Sequence, residues 1–406
     1  MIALGILLIG ATAGLPEFKV EPAPELEALF KRDSGWIGAD ADYSVPLGKD
    51  TTLWLFGDTF VGKVKDGRRV DAVMVNNSIG IQRLDKAGQV EFHYRTGMDG
   101  PPPNPLLKEG ARGRSSGKPA SLFTPTDNRG YLWPLDGVLT KRGLFIFLLR
   151  VEPDTSNPVF PFRTFGTSLA HIRNPHDSPN TWKITQCDIP YCRFGKGESI
   201  YFGCSVVEHD GWLYVYGLDS PIDNGKKRPH VMVLARVKPD RLDKLSEWRF
   251  YSGGKWIEDF TKCEPLAEGL TTEYSVRRIF PPRSLGPRAR SDAHKGLDYG
   301  PFVVVYTEGG ILGNIMIRLA PRPEGPWSEP VKLYECPEKS WHKRAYCYAA
   351  KVHPELSRSP DELIITYAAN SMDFADLFDD ARLYWPRFVR VTLIRGPVRK
   401  GTRSTD

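Results

Sequence analysis

The sequence predicts an all-β, five-bladed β-propeller in a single domain, and three observations carry that prediction. Short β-branched and aromatic runs recur five times along the chain. Glycine and proline, 38 and 34 of 406 residues, are spread throughout and together make about 18 per cent against roughly 12 per cent on average. No stretch longer than about twelve residues shows convincing helical periodicity. A hydrophobic content of 41% with 11% aromatics is enough for a sizeable core, and excludes disorder, collagen and coiled coil.

The N-terminus reads MIALGILLIGATAG. Its apolar run is too short to span a bilayer. Ala11-Thr12-Ala13 is a small-x-small cleavage pattern, so residues 1–13 read as a signal segment lacking the usual positive flank, and a secreted or periplasmic protein is expected. A buried first strand is the structural alternative. Ala23–Lys31 (APELEALFK) is the best helix, acting as a cap.

Five strand pairs follow across turns: Ala41–Leu47 with Thr52–Gly57, Leu132–Leu139 with Leu144–Val151, Ile200–Val207 with Trp212–Gly217, Tyr274–Phe280 with Phe302–Thr307, and Tyr348–Val352 with Leu363–Ala368. Three units add a tryptophan segment at Thr181–Ile184, Glu247–Phe250 and Pro326–Val331. Units recurring roughly every 60 to 90 residues, each a meander of about four strands, read as propeller blades over residues 35–395. Asp99–Thr126 and Pro281–Tyr299 are large insertions, and Gly97–Ser116 within the first is a surface loop. Residues 396–406 form a basic tail.

The net charge of +6 is mild. Arg390, Arg395, Arg399, Lys400 and Arg403 read as a solvated end, and no zinc-finger, helix-turn-helix or phosphate-loop spacing accompanies them, so no nucleic-acid partner is expected. Nor is stable membrane insertion, and a monomer is expected. The six cysteines form no C-x-x-C pair. In an exported chain Cys187–Cys192 and Cys336–Cys347 are the local disulfide candidates among fifteen connectivities.

The chemistry concentrates in GWIGADADYSVPLGKDTTLWLFGDTF, Gly35 to Phe60. Gly48-Lys49-Asp50 is a turn signal, so this is a hairpin. If Leu47 faces Thr51, Asp40 stands opposite Asp58; a slip of one or two residues brings Ala41 or Asp42 there instead. Directly opposed Cβ atoms lie about 4.5–5.5 Å apart, and like charges so placed destabilise a sheet. One carboxyl must then hold its proton while the other ionises, which is what cleavage of a glycosidic bond requires. Against this stand two plainer readings: Asp58 as a strand-end cap, and Asp40-Ala41-Asp42 as a fragment of a hard-cation site.

The other units place polar groups at the starts of their inner strands: Trp133 and Asp136, Glu198 and Tyr201, Glu273 and Tyr274, and the stretch from Tyr346 to Lys351. In a propeller these starts ring one end of the channel. Aromatic walls from Trp36, Trp133, Tyr201 and Tyr274 would stack on sugar rings, while Asp42, Asp136, Glu198, Asn370 and Arg387 would bind hydroxyls. For any single aromatic, core packing is the alternative.

WLFGDTF, GPWSEPVKLYECPE, ELIITYAANS and YWPRFVRV resemble the five-bladed propeller proteins called domain of unknown function 4185, over about Gly35 to Ile394. That group is similar in architecture to glycoside hydrolase families 43, 32 and 130, and some members are endo-D-arabinanases. The resemblance implies a carbohydrate site at the channel mouth, an oligo- or polysaccharide substrate, and Asp40 and Asp58 as acid and base or nucleophile. The chain lacks the blade-one Asp-Pro signature of family 43, so that family's three-carboxylate assignment does not transfer, and Glu198 or Glu273 could serve as a general acid.

The leading expectation is a glycoside hydrolase with Asp40, Asp58 and Glu273 catalytic. A non-catalytic carbohydrate-binding propeller is the alternative. A phosphorylase would need cationic groups at the carboxylates, for which Arg277 and Arg387 are the candidates. There is no Gly-x-Ser-x-Gly elbow and no His-Glu-x-x-His, and the eight histidines show no ligand spacing. A Ser-His-Asp set assembled from distant positions stays open. His353 reads as a strand-end hydrogen-bonding residue. No cofactor and no metal ligand are assigned, with a structural cation such as calcium in the channel left open.

Overall fold

The computed structural model describes residues 17–84, 88–96, 117–156, 160–195, 198–223, 226–279 and 300–394. The signal segment, the basic tail, the loop 97–116 and the insertion 281–299 lie outside the described residues.

Each recurring unit becomes an antiparallel meander. The first sheet orders Tyr43–Pro46, Thr51–Phe56, Ser78–Arg83 and Val90–His93. The second orders Tyr131–Thr140, Gly143–Pro153, Phe162–Ile172 and Ile184–Asp188. The third is built on Ser199–His209, Trp212–Ser220, Val231–Val237 and Arg249–Ser252, with short strands on its margins. The fourth orders Tyr274–Arg278, Phe302–Thr307, Asn314–Ala320 and Val331–Glu335. The fifth combines Ala345–Val352, Glu362–Ser371 and Pro386–Ile394 with the N-terminal strand Glu17–Pro22.

That last pairing runs from Glu17 opposite Ile394 to Pro22 opposite Val389. The two ends of the described chain therefore share one sheet, and the fold takes in residues ahead of the Gly35 boundary read from the sequence. The first strands of successive sheets contact one another in chain order. Between the fifth sheet and the first, Tyr348 bonds Asp40 and His353 bonds Ser44. The architecture is an all-β propeller, with two short helices, Pro24–Glu27 and Asp376–Asp379, among the described residues. The cap helix is shorter than the sequence suggested, because Pro24 at its start is followed by only one hydrogen-bonded turn.

Apolar faces between the sheets form the core. The predicted tryptophan segments lead into the fourth strands, and Trp248 shows the reason: it is 1% exposed, and its indole N–H donates to the Leu242 carbonyl at 3.0 Å. Burying such a side chain contributes about 1.5–3 kcal/mol.

Two departures from a plain propeller shape the site. First, Ser34–Ala39, Thr59–Lys65 and Arg68–Val75 form a separate three-stranded sheet. The single long hairpin read from the sequence is thus divided between two sheets. Second, inner strands break register at Pro134/Gly137, Phe202/Ser205 and Tyr348/Lys351. Such bulges bend a strand and re-aim its side chains.

All six cysteines are free thiols, with Cys187 exposed and Cys336 and Cys347 buried. No helix among the described residues is long and apolar enough to cross a membrane.

Candidate active site

The chain changes sheet at Asp40–Asp42 on one side of the first hairpin and at Gly57-Asp58 on the other. Ala41 and Asp42 make the bend with φ of 75° and 55°, a left-handed conformation that costs a non-glycine residue free energy. The pairing stays in one register across the break, with Ala39 opposite Thr59 before it and Tyr43 opposite Leu55 after it. Asp40 and Asp58 flank this break where neither sheet holds them, and the charge of Asp58 acts on Asp40. The Gly57 N–H donates to the Asp40 carbonyl at 3.1 Å. A Cβ on Gly57 would lie 2.5 Å from Asp40 Oδ1, so only glycine leaves the carboxyl its position.

Each carboxyl has its own donors. Asp40 Oδ2 accepts from the Tyr348 hydroxyl at 2.5 Å and the Tyr384 hydroxyl at 2.9 Å. Burial and the Asp40 charge hold both tyrosines well above the usual phenol range, so both remain donors. Asn370 Nδ2 donates to the Tyr348 oxygen at 3.2 Å. Asp58 Oδ1 accepts from Trp133 Nε1 at 3.0 Å and Asn76 Nδ2 at 3.2 Å.

These surroundings separate the two proton affinities. Burial pushes the Asp40 carboxyl up to about 8, the charges of Glu273 and Asp58 add to the rise, and the tyrosine hydrogen bonds oppose it. Burial pushes Asp58 up only to about 6, against the Trp133 and Asn76 hydrogen bonds. Burial thus raises both carboxyls, and the neighbouring charges of Glu273 and Asp58 raise Asp40 further. Glu273 is held by Lys351, whose Nζ lies 3.2 Å from Oε1 and also donates to the Ala349 carbonyl at 3.0 Å.

The structure thus brings Asp40, Asp58, Glu273, Trp133 and Asn370 into one cluster. It places the other expected site residues elsewhere. Asp42 is fully buried and neither carboxyl oxygen has a hydrogen-bond partner among the described residues. Burial holds its carboxyl well above the usual range, against the opposing charge of Lys351.

Asp136 is likewise fully buried. The bulge turns it inward, where Arg277 grips both its oxygens at 2.6 and 2.9 Å and Ser205, the Val206 N–H and the Gly137 N–H donate to it as well. No lone pair is left for a substrate hydroxyl. Tyr201 and Tyr274 are core residues at 2% and 0% exposure, and Trp36 is stacked on Phe92 at 4.0 Å in the core instead of forming a wall. Glu198 stands at the margin of the third sheet, 3.9 Å from Arg193. Arg387 bonds Glu27 at 2.9 Å and the Arg382 carbonyl at 2.6 Å, which ties the N-terminal helix to the fifth sheet. His353 is buried between Ser44 and Thr366, at 2.5 and 2.7 Å.

Tyr384, Asn76 and Lys351 were not singled out individually in the sequence, and Tyr348 only as part of a stretch. Asn76-Asn77, two amides in an otherwise apolar run, was the one local signal for the Asp58 donor. Among the described residues no group of three or more His, Cys, Asp or Glu is arranged to hold a metal ion.

A carboxyl pair of unequal proton affinity on an all-β propeller defines the class to which the chain can be compared. It belongs to the family described as Domain of unknown function (DUF5005), whose profile matches residues 24–393. The matching family model is this one and not domain of unknown function 4185, the group the sequence motifs resemble. Among solved structures, the chain is similar to a protein from Bacteroides ovatus ATCC 8483 provisionally described as a hydrolase, at 18% identity over 95% of this chain and 93% of that one, with a TM-score of 0.65. It is also similar to a thermostable family-43 glycoside hydrolase, at 13% identity over 91% and 97% of the two chains and a TM-score of 0.41. An endo-arabinase from Bacteroides thetaiotaomicron VPI-5482 matches at 13% identity over 91% and 99%, with a TM-score of 0.40. No curated protein sequence matches. The first of these structures carries the shared fold over nearly the whole of both chains.

Proposed function

We propose that the protein is a glycoside hydrolase in which Asp40 is the general acid and Asp58 the base or nucleophile. The observation that carries this reading is the pair itself: two carboxyls in register across one hairpin, one held near 8 and the other near 6. Pairs whose surroundings drive their proton affinities apart are the pattern of acid–base assignment in glycosidases.

Both tyrosines donate to Oδ2 of Asp40, which leaves Oδ1, the oxygen against Gly57, to carry the acidic proton. That proton passes to the leaving oxygen as the anomeric carbon–oxygen bond breaks. Ionised Asp58 either attacks the anomeric carbon or takes a proton from the water that does. Carboxyl separations of roughly 5–5.5 Å accompany retention and 6.5–9.5 Å inversion, so the anomer first released distinguishes the two roles. The negative charge of Glu273 keeps the proton on Asp40, and the half-buried Trp133 offers its face to a sugar ring while its N–H orients Asp58.

Water is the acceptor in this reading, because the two cations a phosphorylase would need are engaged: Arg277 with Asp136, and Arg387 with Glu27. Arabinofuranosidic glycans are the first substrates to test, on the resemblance of the WLFGDTF hairpin. The apolar leader and its cleavage pattern support an exported enzyme acting on extracellular or periplasmic glycan. The test is purified protein incubated with a glycan panel including arabinans, with detection of new reducing ends and calorimetry in parallel. New reducing ends support hydrolysis; heat of binding without them assigns a carbohydrate-binding propeller instead.

A further inference from the structure

Arg69 opens a second layer behind the acid. It lies in the separate three-stranded sheet and is 3% exposed. Its Nε donates to the Ile37 carbonyl at 3.1 Å, Nη1 to the Leu377 carbonyl at 2.5 Å and Nη2 to the Leu383 carbonyl at 2.7 Å. The guanidinium sits 4.9 Å from the Phe60 ring centre and 5.8 Å from that of Trp385. Among the described residues no carboxylate forms an ion pair with it. A buried cation held by carbonyls and aromatic faces, with no carboxylate in contact, is a costly way to fill space. What it offers over an alkyl side chain is three N–H groups in a rigid fork.

The carbonyls it holds are informative. Ile37 is three residues before Asp40, and Leu383 immediately precedes Tyr384. The two backbones are pressed together at this point: a Cβ on Gly38 would lie 2.4 Å from the Tyr384 carbonyl oxygen and 2.7 Å from Arg69 Nη2. Gly38 takes φ of 132° and Tyr384 φ of 65° to fit. Tyr384 then reaches Asp40 Oδ2 at 2.9 Å.

We infer that Arg69 is a positioning residue that fixes the spacing between the backbone carrying Asp40 and the backbone carrying Tyr384, so that the tyrosine hydroxyl meets the carboxyl. Its importance to catalysis rests on the reading of Asp40 as the acid; the spacing itself does not.

The experiment follows the titration of Asp40 in full-length protein carrying ¹³C-carboxyl aspartate, with Asp40→Asn assigning the signal. The groups facing Asp40 are Asp58, Glu273, Tyr346, Tyr348 and Tyr384, with Asp42 two residues on, and all are retained except where substituted. Tyr384→Phe removes a donor to the ionised form, so the Asp40 midpoint rises. Arg69→Met is expected to raise it by a similar amount, and the double variant by no more than the larger single change.

Arg69→Lys keeps the charge but cannot reach all three carbonyls, so it too is expected to raise the midpoint. An unmoved midpoint in Arg69→Met, an equal further shift when it is added to Tyr384→Phe, or a wild-type midpoint in Arg69→Lys overturns the inference. If Arg69→Met does not fold, Gly38→Ala forces the same two backbones apart, and an unchanged midpoint there overturns it equally. Glycan cleavage by Asp40→Asn is scored separately: full activity removes the acid assignment while leaving the spacing result standing.

Discussion

Replacing Trp133 by Phe tests how the hydrolase reading assigns Asp58, and its effect can be worked from the structure. The phenyl ring keeps the edge contact to Phe162, at 4.8 Å between ring centres, and the contact to Tyr131 at 5.7 Å. It removes the indole N–H that reaches Asp58 Oδ1 at 3.0 Å. A hydrogen bond to an ionised group contributes about 1.5–3 kcal/mol. Asn76 still donates to the same oxygen, so the lower end applies. Because about 1.4 kcal/mol is a tenfold change in proton affinity, Asp58 should move from about 6 to about 7, toward the Asp40 value of about 8.

The assay is the pH profile of kcat/KM, whose limbs report the free enzyme's essential groups. The wild type should give a bell with an acid limb near 6 and an alkaline limb near 8. The variant should show the acid limb displaced upward by about one pH unit, the alkaline limb unmoved, and its loss concentrated below neutrality. An acid limb that stays in place or moves down, or a loss equal at all pH values, refutes the role given to Asp58.

Three further outcomes follow from the same contacts. Asp40→Asn should raise the melting temperature, and by more at pH 8 than at pH 5. A carboxyl whose proton affinity folding raises, here from 3.8 to about 8, weakens the folded state as pH climbs through that window, since the unfolded chain releases the proton first. An equal or smaller gain at the higher pH contradicts that environment. Asp136→Asn strips the fork from Arg277 and should cost about 3–5 kcal/mol in urea unfolding, because it leaves a buried cation unpaired; a loss of cleavage without destabilisation would return Asp136 to the substrate-binding set. Gly57→Ala places a methyl 2.5 Å from Asp40 Oδ1 and should cut kcat by at least about tenfold, with KM nearly unchanged; wild-type kcat would show that the position of this oxygen is unimportant.

The hairpin was legible because its signals are local. A three-residue turn set the register, the register set Asp40 against Asp58, and the observed pairs Tyr43–Leu55 and Ala39–Thr59 keep it on both sides of the break. The recurrence of strand pairs was legible for the same reason. What surrounds the aspartates was not. Tyr348 and Tyr384 come from more than 300 positions away in sequence, and nothing in either segment marks one hydroxyl as the donor. Asp136 was assigned to substrate from its place at a strand start. The bulge at Pro134/Gly137 turns it inward to Arg277, and a bulge between Leu135 and Asp136 leaves no trace in apolar periodicity. Arg387 failed for a similar reason, since its partner Glu27 lies on a segment the sequence placed outside the blades.

The central claim is that Asp40 and Asp58 act on one bond as a unit. The measurement closest to it is kcat for wild type, Asp40→Asn, Asp58→Asn and the double variant on one glycan cleaved in the panel. Each single change is expected to remove on the order of 10² to 10⁴ of the rate, and the double variant to be little worse than the poorer single. Full activity in either single variant contradicts the claim, and so does a double variant whose loss is the product of the two.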